Sequence, residues 1–152
     1  MRVSVIGGSA PSAAATDRAE AVGRELADRG HELVCGGLTG VMEAACRGAR
    51  ERGGHTIGIV PGEDRTAANP FVETAIATGM GNARNVLVVL NGDAVIALEG
   101  ATGTLSELGH ALDLGRPVAG LDTHRVDGVE GIEHVETPAA AVDHVERAVE
   151  RD

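Results

Sequence analysis

Lysine is absent from this chain: all 13 basic residues among its 152 are arginine. Without lysine there is no Schiff base to pyridoxal phosphate and no P-loop phosphate clamp, so both chemistries are excluded. Aromatic residues are almost as scarce, one Phe and no Trp or Tyr, which leaves no stacking platforms for single-stranded nucleic acid. Positive charge is in deficit too. A formal net charge of -10 opposes a nucleic-acid backbone, so no nucleic-acid polymer is expected as a partner. The two cysteines, Cys35 and Cys46, make neither a disulfide framework nor a metal pattern and are expected as buried free thiols. No apolar run approaches the roughly 18 residues of a membrane span. The first residues lack the charged region and cleavage site of a secretory signal, so no membrane association and a cytoplasmic location are expected.

What is present is enough for one core. At 152 residues and 43% hydrophobic, the chain is too short for two domains of ordinary size, and residues 1–152 are expected to form a single unit. An acidic, lysine-free surface rich in Ala and Gly suits a protein that stays soluble in concentrated salt, and points to a halophilic source.

Apolar β-rich runs alternate with longer segments of helical period, the pattern of a mainly parallel sheet with helices on both faces. The expected fold is α/β, a Rossmann-like three-layer sandwich with about six or seven strands. Strands are predicted at Arg2 to Ile6, Glu32 to Cys35, His55 to Val60, Asp93 to Leu98, Pro117 to Leu121 and Ile132 to Val135. Helices are predicted near Ala13 to Asp28, Gly40 to Arg52, Ala83 to Leu90, Gly103 to Leu114 and Pro138 to Glu150. The polar run Pro61 to Pro70 follows the third predicted strand, where an α/β fold normally places ligand-contacting or lid segments. Asp122 to Gly131, polar with two glycines, reads as surface loop.

The most informative stretch is Gly100-Ala-Thr-Gly-Thr-Leu-Ser-Glu107, directly after the apolar Ala94-Val-Ile-Ala-Leu98. A strand that ends in small residues and opens a helix leaves backbone N–H groups unpaired where the peptide dipoles favour negative charge. That makes Gly100, Thr102, Gly103 and Thr104 a candidate phosphate seat. Glu107, three residues further on, is close enough to act on the sugar or ring the phosphate carries.

Two more strand ends run into glycine. The first strand leads to Gly7-Gly8-Ser9 and the second to Gly36-Gly37-Leu38-Thr39-Gly40-Val41-Met42. Both end at the same edge, and they read either as two walls of one pocket or as ordinary turns in a chain with 22 glycines. On the pocket reading Gly7, Gly8, Ser9, Gly36, Gly37, Gly40 and Met42 contact the ligand. GxGxxG is absent, which argues against a standard NAD site. In Gly79-Met80-Gly81-Asn82-Ala83-Arg84-Asn85, Arg84 precedes the apolar Val86 to Leu90. Such an arginine has either an anionic or planar ligand or a structural ion-pair partner.

Together these motifs resemble the LONELY GUY superfamily of cytokinin-activating phosphoribohydrolases and the molybdenum cofactor carrier proteins. The family's PGGxGTxxE lines up with Glu99 to Glu107, its GGxxGLM with Gly36 to Met42, and its helix arginine with Arg84; the resemblance covers roughly Met1 to Asp122. It implies catalytic roles for Arg84 and Glu107 and a 5′-phosphate held by Gly103 and Thr104. It also implies a homodimer or homotetramer built through helices near the site. This sequence departs from the family at Glu99, where the enzymes have proline, at Ala101, where they have a second glycine, and at Asn85, where a lysine commonly follows the arginine. These departures make the site look more like the carrier-type and short members than the plant-type hydrolases.

Cleavage of an N-glycosidic bond builds positive charge on the ribose, which a carboxylate beside the anomeric carbon stabilises. The chain is therefore expected to bind a small phosphorylated, nucleotide-like ligand and to hydrolyse a nucleoside 5′-monophosphate. The alternative is a non-catalytic carrier or sensor, with the molybdenum cofactor only as carried ligand. No cofactor is required on either reading. Glu107 and His110 read as helix neighbours rather than metal ligands, so no metal is expected. Ser9 and Ser106 lack the GxSxG elbow. His31, His55, His124, His134 and His144 read as surface or structural groups.

Overall fold

The computed structural model describes residues 1–151, and every strand in it is parallel to its neighbours. The strands are β1 (Arg2–Gly7), β2 (Glu32–Cys35), β3 (Thr56–Val60), β4 (Thr74–Ala77), β5 (Ala94–Leu98), β6 (Val118–Leu121) and β7 (Ile132–His134). The helices are α1 (Ala13–Asp28), α2 (Val41–Glu51), α3 (Asn85–Leu90), α4 (Thr102–Asp113) and α5 (Pro138–Val149). The strand order is β4-β3-β2-β1-β5-β6-β7. The chain thus winds outward from β1 to one edge, then returns to the other side of β1 with β5. A crevice opens at such a reversal, outside the carboxyl ends of the strands.

Side chains alternate across each strand and so divide into two cores. Val3 and Val5 of β1, with Ala94, Ile96 and Leu98 of β5, pack beneath α1, α2 and α5. Ile6, Val95 and Ala97 pack on the other face, with Val88 and Val89 of α3 and Leu108 and Ala111 of α4. Strands β3 and β5 are buried along their whole length, as a parallel sheet covered on both faces requires.

The first helical layer depends on missing side chains. A Cβ on Gly23 of α1 would stand 2.0 Å from the carbonyl of Ala45 in α2, and one on Gly48 of α2 would stand 2.0 Å from that of Glu20. The two backbones therefore touch. Around this contact Arg24 pairs with Glu20 and Glu51, and Arg47 with Glu20. Arg29 joins α1 to Asp143 and Glu146 of α5, and His31 reaches the same Glu146 at 2.7 Å.

The predicted elements stand close to their expected bounds, with two corrections. Strand β4 is additional: Thr74-Ala-Ile-Ala is a four-residue edge strand, half exposed, and its alternation is too brief to register as a strand. The helix expected from Ala83 begins as a 3-10 turn, Gly81–Arg84, and becomes α-helical only at Asn85. No described helix is long and apolar enough to cross a membrane. Cys35 and Cys46 are buried and free, their sulfurs 3.5 Å apart.

Candidate ligand-binding site

The three glycine-containing junctions meet at the carboxyl edge of the sheet. They wall a cavity of about 190 Å³ that takes Gly7, Gly8 and Ser9 from the end of β1, Gly36 from the end of β2, and Met42 from α2. Asn82, Arg84 and Asn85 enter from the α3 side, and Gly103, Thr104 and Glu107 from α4. The sequence-predicted walls are therefore brought together.

Each junction has its own reason for glycine. A Cβ on Gly7 would lie 2.6 Å from the Leu98 carbonyl, and one on Gly36 would lie 2.8 Å from the Arg84 guanidinium. Gly40, in left-handed backbone at φ 77, comes so near the first loop that a Cβ would meet the Gly8 carbonyl at 2.4 Å. It locks the two loops together rather than lining the cavity. Gly37, also at φ 77, packs on Val60 and Gly58. Gly100 lines a neighbouring cavity instead, and Thr102 begins α4 without lining either.

Helix α4 starts open. Its N-cap is Ala101, which has no side chain to cap with, and the first bond back from the helix is Leu105 N–H to the Ala101 carbonyl at 3.1 Å. The amides of Thr102, Gly103 and Thr104 precede that bond, which is the arrangement that receives anions.

Arg84 is nine-tenths buried and its guanidinium is held on three sides. Nε donates to the Ile59 carbonyl at 2.9 Å, Nη2 to the Gly36 carbonyl at 3.2 Å, and Nη1 to Asn85 Oδ1. A guanidinium has five N–H groups, so one on each Nη remains. Burial lowers the Arg84 pKa, and the nearby Glu107 charge opposes that shift.

Glu107 is equally buried, 8% exposed. Its carboxyl makes no hydrogen bond among the described residues, and burial pushes its pKa up to about 7, with Arg84 pulling the other way. It is therefore close to half ionised near neutral pH. A carboxyl held there can take and return a proton. No group of three or more His, Cys, Asp or Glu capable of holding a metal ion occurs among the described residues.

One expectation is corrected. The Pro61 to Pro70 loop lines neither cavity of this edge. It is a brace: Asn69 N–H donates to the Gly37 carbonyl at 2.8 Å and its side-chain amide to the Leu38 carbonyl at 2.8 Å. Bound to those two carbonyls, Asn69 supports the second glycine junction from outside the cavity lining.

Asn82 lines the cavity although the sequence gives it no role, and Ala101 lines it at the position where the sequence departs from the family's second glycine. The neighbouring cavity, about 490 Å³, shares Gly8, Ser9 and Ala101 with the first and adds Glu99, which the sequence marks as a departure from the family, together with Asp122, Thr123 and His124, to which the sequence gives no part in a site. Glu99 and Asp122 are the two non-glycine residues with positive φ among the described residues, 45° and 52°. The Glu99 carboxylate accepts from the Ser12 amide at 3.2 Å and from the Ser12 hydroxyl, and these bonds lower its pKa.

The sequence profile of the SLOG cluster4 family matches residues 1–149. An uncharacterized protein of Archaeoglobus fulgidus is 41% identical over 95% of this chain and 93% of its own length. The probable cytokinin riboside 5′-monophosphate phosphoribohydrolase LOGL5 of Oryza sativa subsp. japonica is 37% identical over 70% of this chain, a stretch that is 46% of the rice protein. Among solved structures, the molybdenum cofactor binding protein from Rippkaea orientalis superposes with a TM-score of 0.87 at 32% identity, covering 97% of this chain and 95% of that one.

Proposed function

The chain belongs to the SLOG cluster4 family, and from that premise we propose that its first cavity binds a nucleoside 5′-monophosphate and hydrolyses the N-glycosidic bond, releasing base and ribose 5-phosphate. The observation that carries this reading is Glu107, a buried carboxyl without a hydrogen-bond partner, held near neutrality beside an open helix N-terminus. The phosphate sits on the amides of Gly103 and Thr104, and the free N–H groups of Arg84 hold the sugar hydroxyls. As the bond from the anomeric carbon to the base nitrogen breaks, the electron pair leaves with the base. The ionised Glu107 stabilises the positive charge left on the ribose, takes the proton of the attacking water and returns it to the departing base nitrogen, so that neutral base and ribose 5-phosphate leave and the carboxylate is restored. The test is a panel of nucleoside monophosphates with base release followed by chromatography. Release that disappears in Glu107→Gln supports the reading; release unchanged in that variant overturns it.

A second reading is a carrier that binds without turnover. It is favoured by the match to the Rippkaea orientalis protein, which spans nearly all of both chains, whereas the match to the rice hydrolase spans under half of that enzyme. Its signature is thermal stabilisation by a phosphorylated pterin with no base release from any nucleotide. Either function is proposed to operate in a homo-oligomer joined through the α3–α4 face, where Leu90 and Leu105 are exposed. Light scattering at working concentration tests this, and a monomer overturns it.

A further inference from the structure

The larger neighbouring cavity has no part in the chemistry above, and unlike the first it has carboxylates without an arginine among its lining residues. The first is walled by Arg84, by the Glu107 carboxyl and by the start of α4. The second has no arginine in its wall, and the groups at its rim accept hydrogen bonds. Glu99 uses two of its lone pairs on Ser12, and a carboxylate offers about four. Asp122 adds a second carboxylate. The Thr123 hydroxyl spends its proton on the Glu99 carbonyl at 2.8 Å, which leaves its oxygen as acceptor. His124 Nε2 donates to the Ala101 carbonyl at 2.9 Å, which leaves Nδ1 of the neutral ring as acceptor. Through the shared wall of Gly8, Ser9 and Ala101, this acceptor-lined space adjoins the one into which the unpartnered Glu107 faces.

We propose that the second cavity receives a heterocycle through an edge of adjacent N–H and amino donors, the edge that guanine and pterins share, while the first cavity holds the phosphate of the same molecule. The inference rests on the phosphate reading of the first cavity. A carboxylate accepts both donors of such an edge at once, and these charge-assisted bonds are the strong kind. Hypoxanthine lacks the amino group and adenine lacks the ring N–H, so each leaves a carboxylate oxygen unmatched. A second phosphate or an acid in this space would meet two carboxylates. The ligand is therefore anionic at one end and donor-rich at the other.

Calorimetric titration of the full chain in the Glu107→Gln background, where no ligand is consumed, tests this with GMP, IMP, AMP, neopterin monophosphate and inorganic phosphate. GMP or neopterin monophosphate is expected to bind about tenfold or more tightly than IMP and AMP, and the tighter of the two identifies which heterocycle the cavity takes. Asp122→Asn, which suits the left-handed backbone at that position, and Glu99→Gln are each expected to bring the GMP-to-IMP ratio toward one. Equal affinities for GMP, IMP and AMP, or a ratio that survives both variants, overturn the inference and leave the phosphate reading standing. Failure of inorganic phosphate and of every monophosphate to bind overturns the phosphate reading itself.

Discussion

Helices α1 and α4 both begin at the carboxyl edge of the sheet, a few residues beyond β1 and β5, yet they begin in opposite ways. Ser12 closes α1: its hydroxyl accepts from the Ala15 amide at 3.1 Å and donates to Glu99. Ala101 leaves α4 open. The same contrast extends to the layers they belong to. Helix α1 is seated against α2 through glycine contacts and is ringed by arginine–carboxylate pairs. Helix α4 shares its layer with the six-residue α3 and leaves Leu105 exposed. One layer satisfies its own polar groups and is fit to hold the fold. The other keeps amides and a carboxyl unmatched, which costs stability and supplies a place for a ligand.

The contrast can be broken at several points. The largest effect is expected at the closed layer, where Gly23→Ala forces a Cβ into a backbone carbonyl 2.0 Å away. Neither helix can yield without separating from the other, so a loss of about 3 kcal/mol or more is expected, read by chemical denaturation. A destabilisation under 1 kcal/mol would mean that the two helices do not meet so closely.

At the open layer the sign reverses. Glu107 has a folded pKa of about 7 against an ordinary value of 4.5, so its ionised form is disfavoured in the folded protein. Its penalty is absent below the unfolded value, grows as pH rises between the two, and is complete above about 7. Glu107→Gln is therefore expected to be more stable than the parent by up to about 3 kcal/mol at pH 8, with the gap closing near pH 4.5, while hydrolysis falls by about 100-fold or more. Equal melting temperatures at both pH values would show the carboxyl to be solvated. For the unmodified protein, kcat/KM is expected to rise with pH through about 7 as the carboxylate form appears.

Ala101→Asp sharpens the comparison by giving α4 the cap it lacks. The helix gains about 1 kcal/mol, and phosphate affinity drops about tenfold or more because a carboxylate then occupies the amides. The converse, Ser12→Ala, removes the α1 cap and the hydroxyl donor to Glu99 while keeping the backbone amide donor, with an expected loss of about 1 kcal/mol in thermal unfolding.

Much of the sheet was legible because apolar runs of four or five residues bounded by glycine have few other readings; β2, β5 and α1 stand almost where their patterns place them. Strand β4 was not, since its four residues show no apolar face until β3 is beside them. The 3-10 turn at Gly81–Arg84 was likewise hidden, because Gly79 and Gly81 at positive φ set the approach of the chain, and composition alone does not give that angle. At the site, Arg84, Glu107 and the Gly103–Thr104 turn were legible as motifs that end strands or open helices. His124 was read as a surface or structural group and Asp122 as part of a loop. Their place at the second cavity depends on β6 lying beside β5.

The order of residues by itself determined the absence of lysine chemistry, the alternation of strand and helix, and three glycine junctions at one edge, because periodicity and backbone freedom are local properties. Only the tertiary structure decided that Glu107 is unmatched and lifted toward neutrality, that Arg84 keeps two free N–H groups, and that the cavity holding both adjoins one lined by Glu99 and Asp122. Those depend on burial and on neighbours from β1, β2, β5 and β6 arriving together, and desolvation and hydrogen-bond matching arise only between parts of the chain that are distant in sequence.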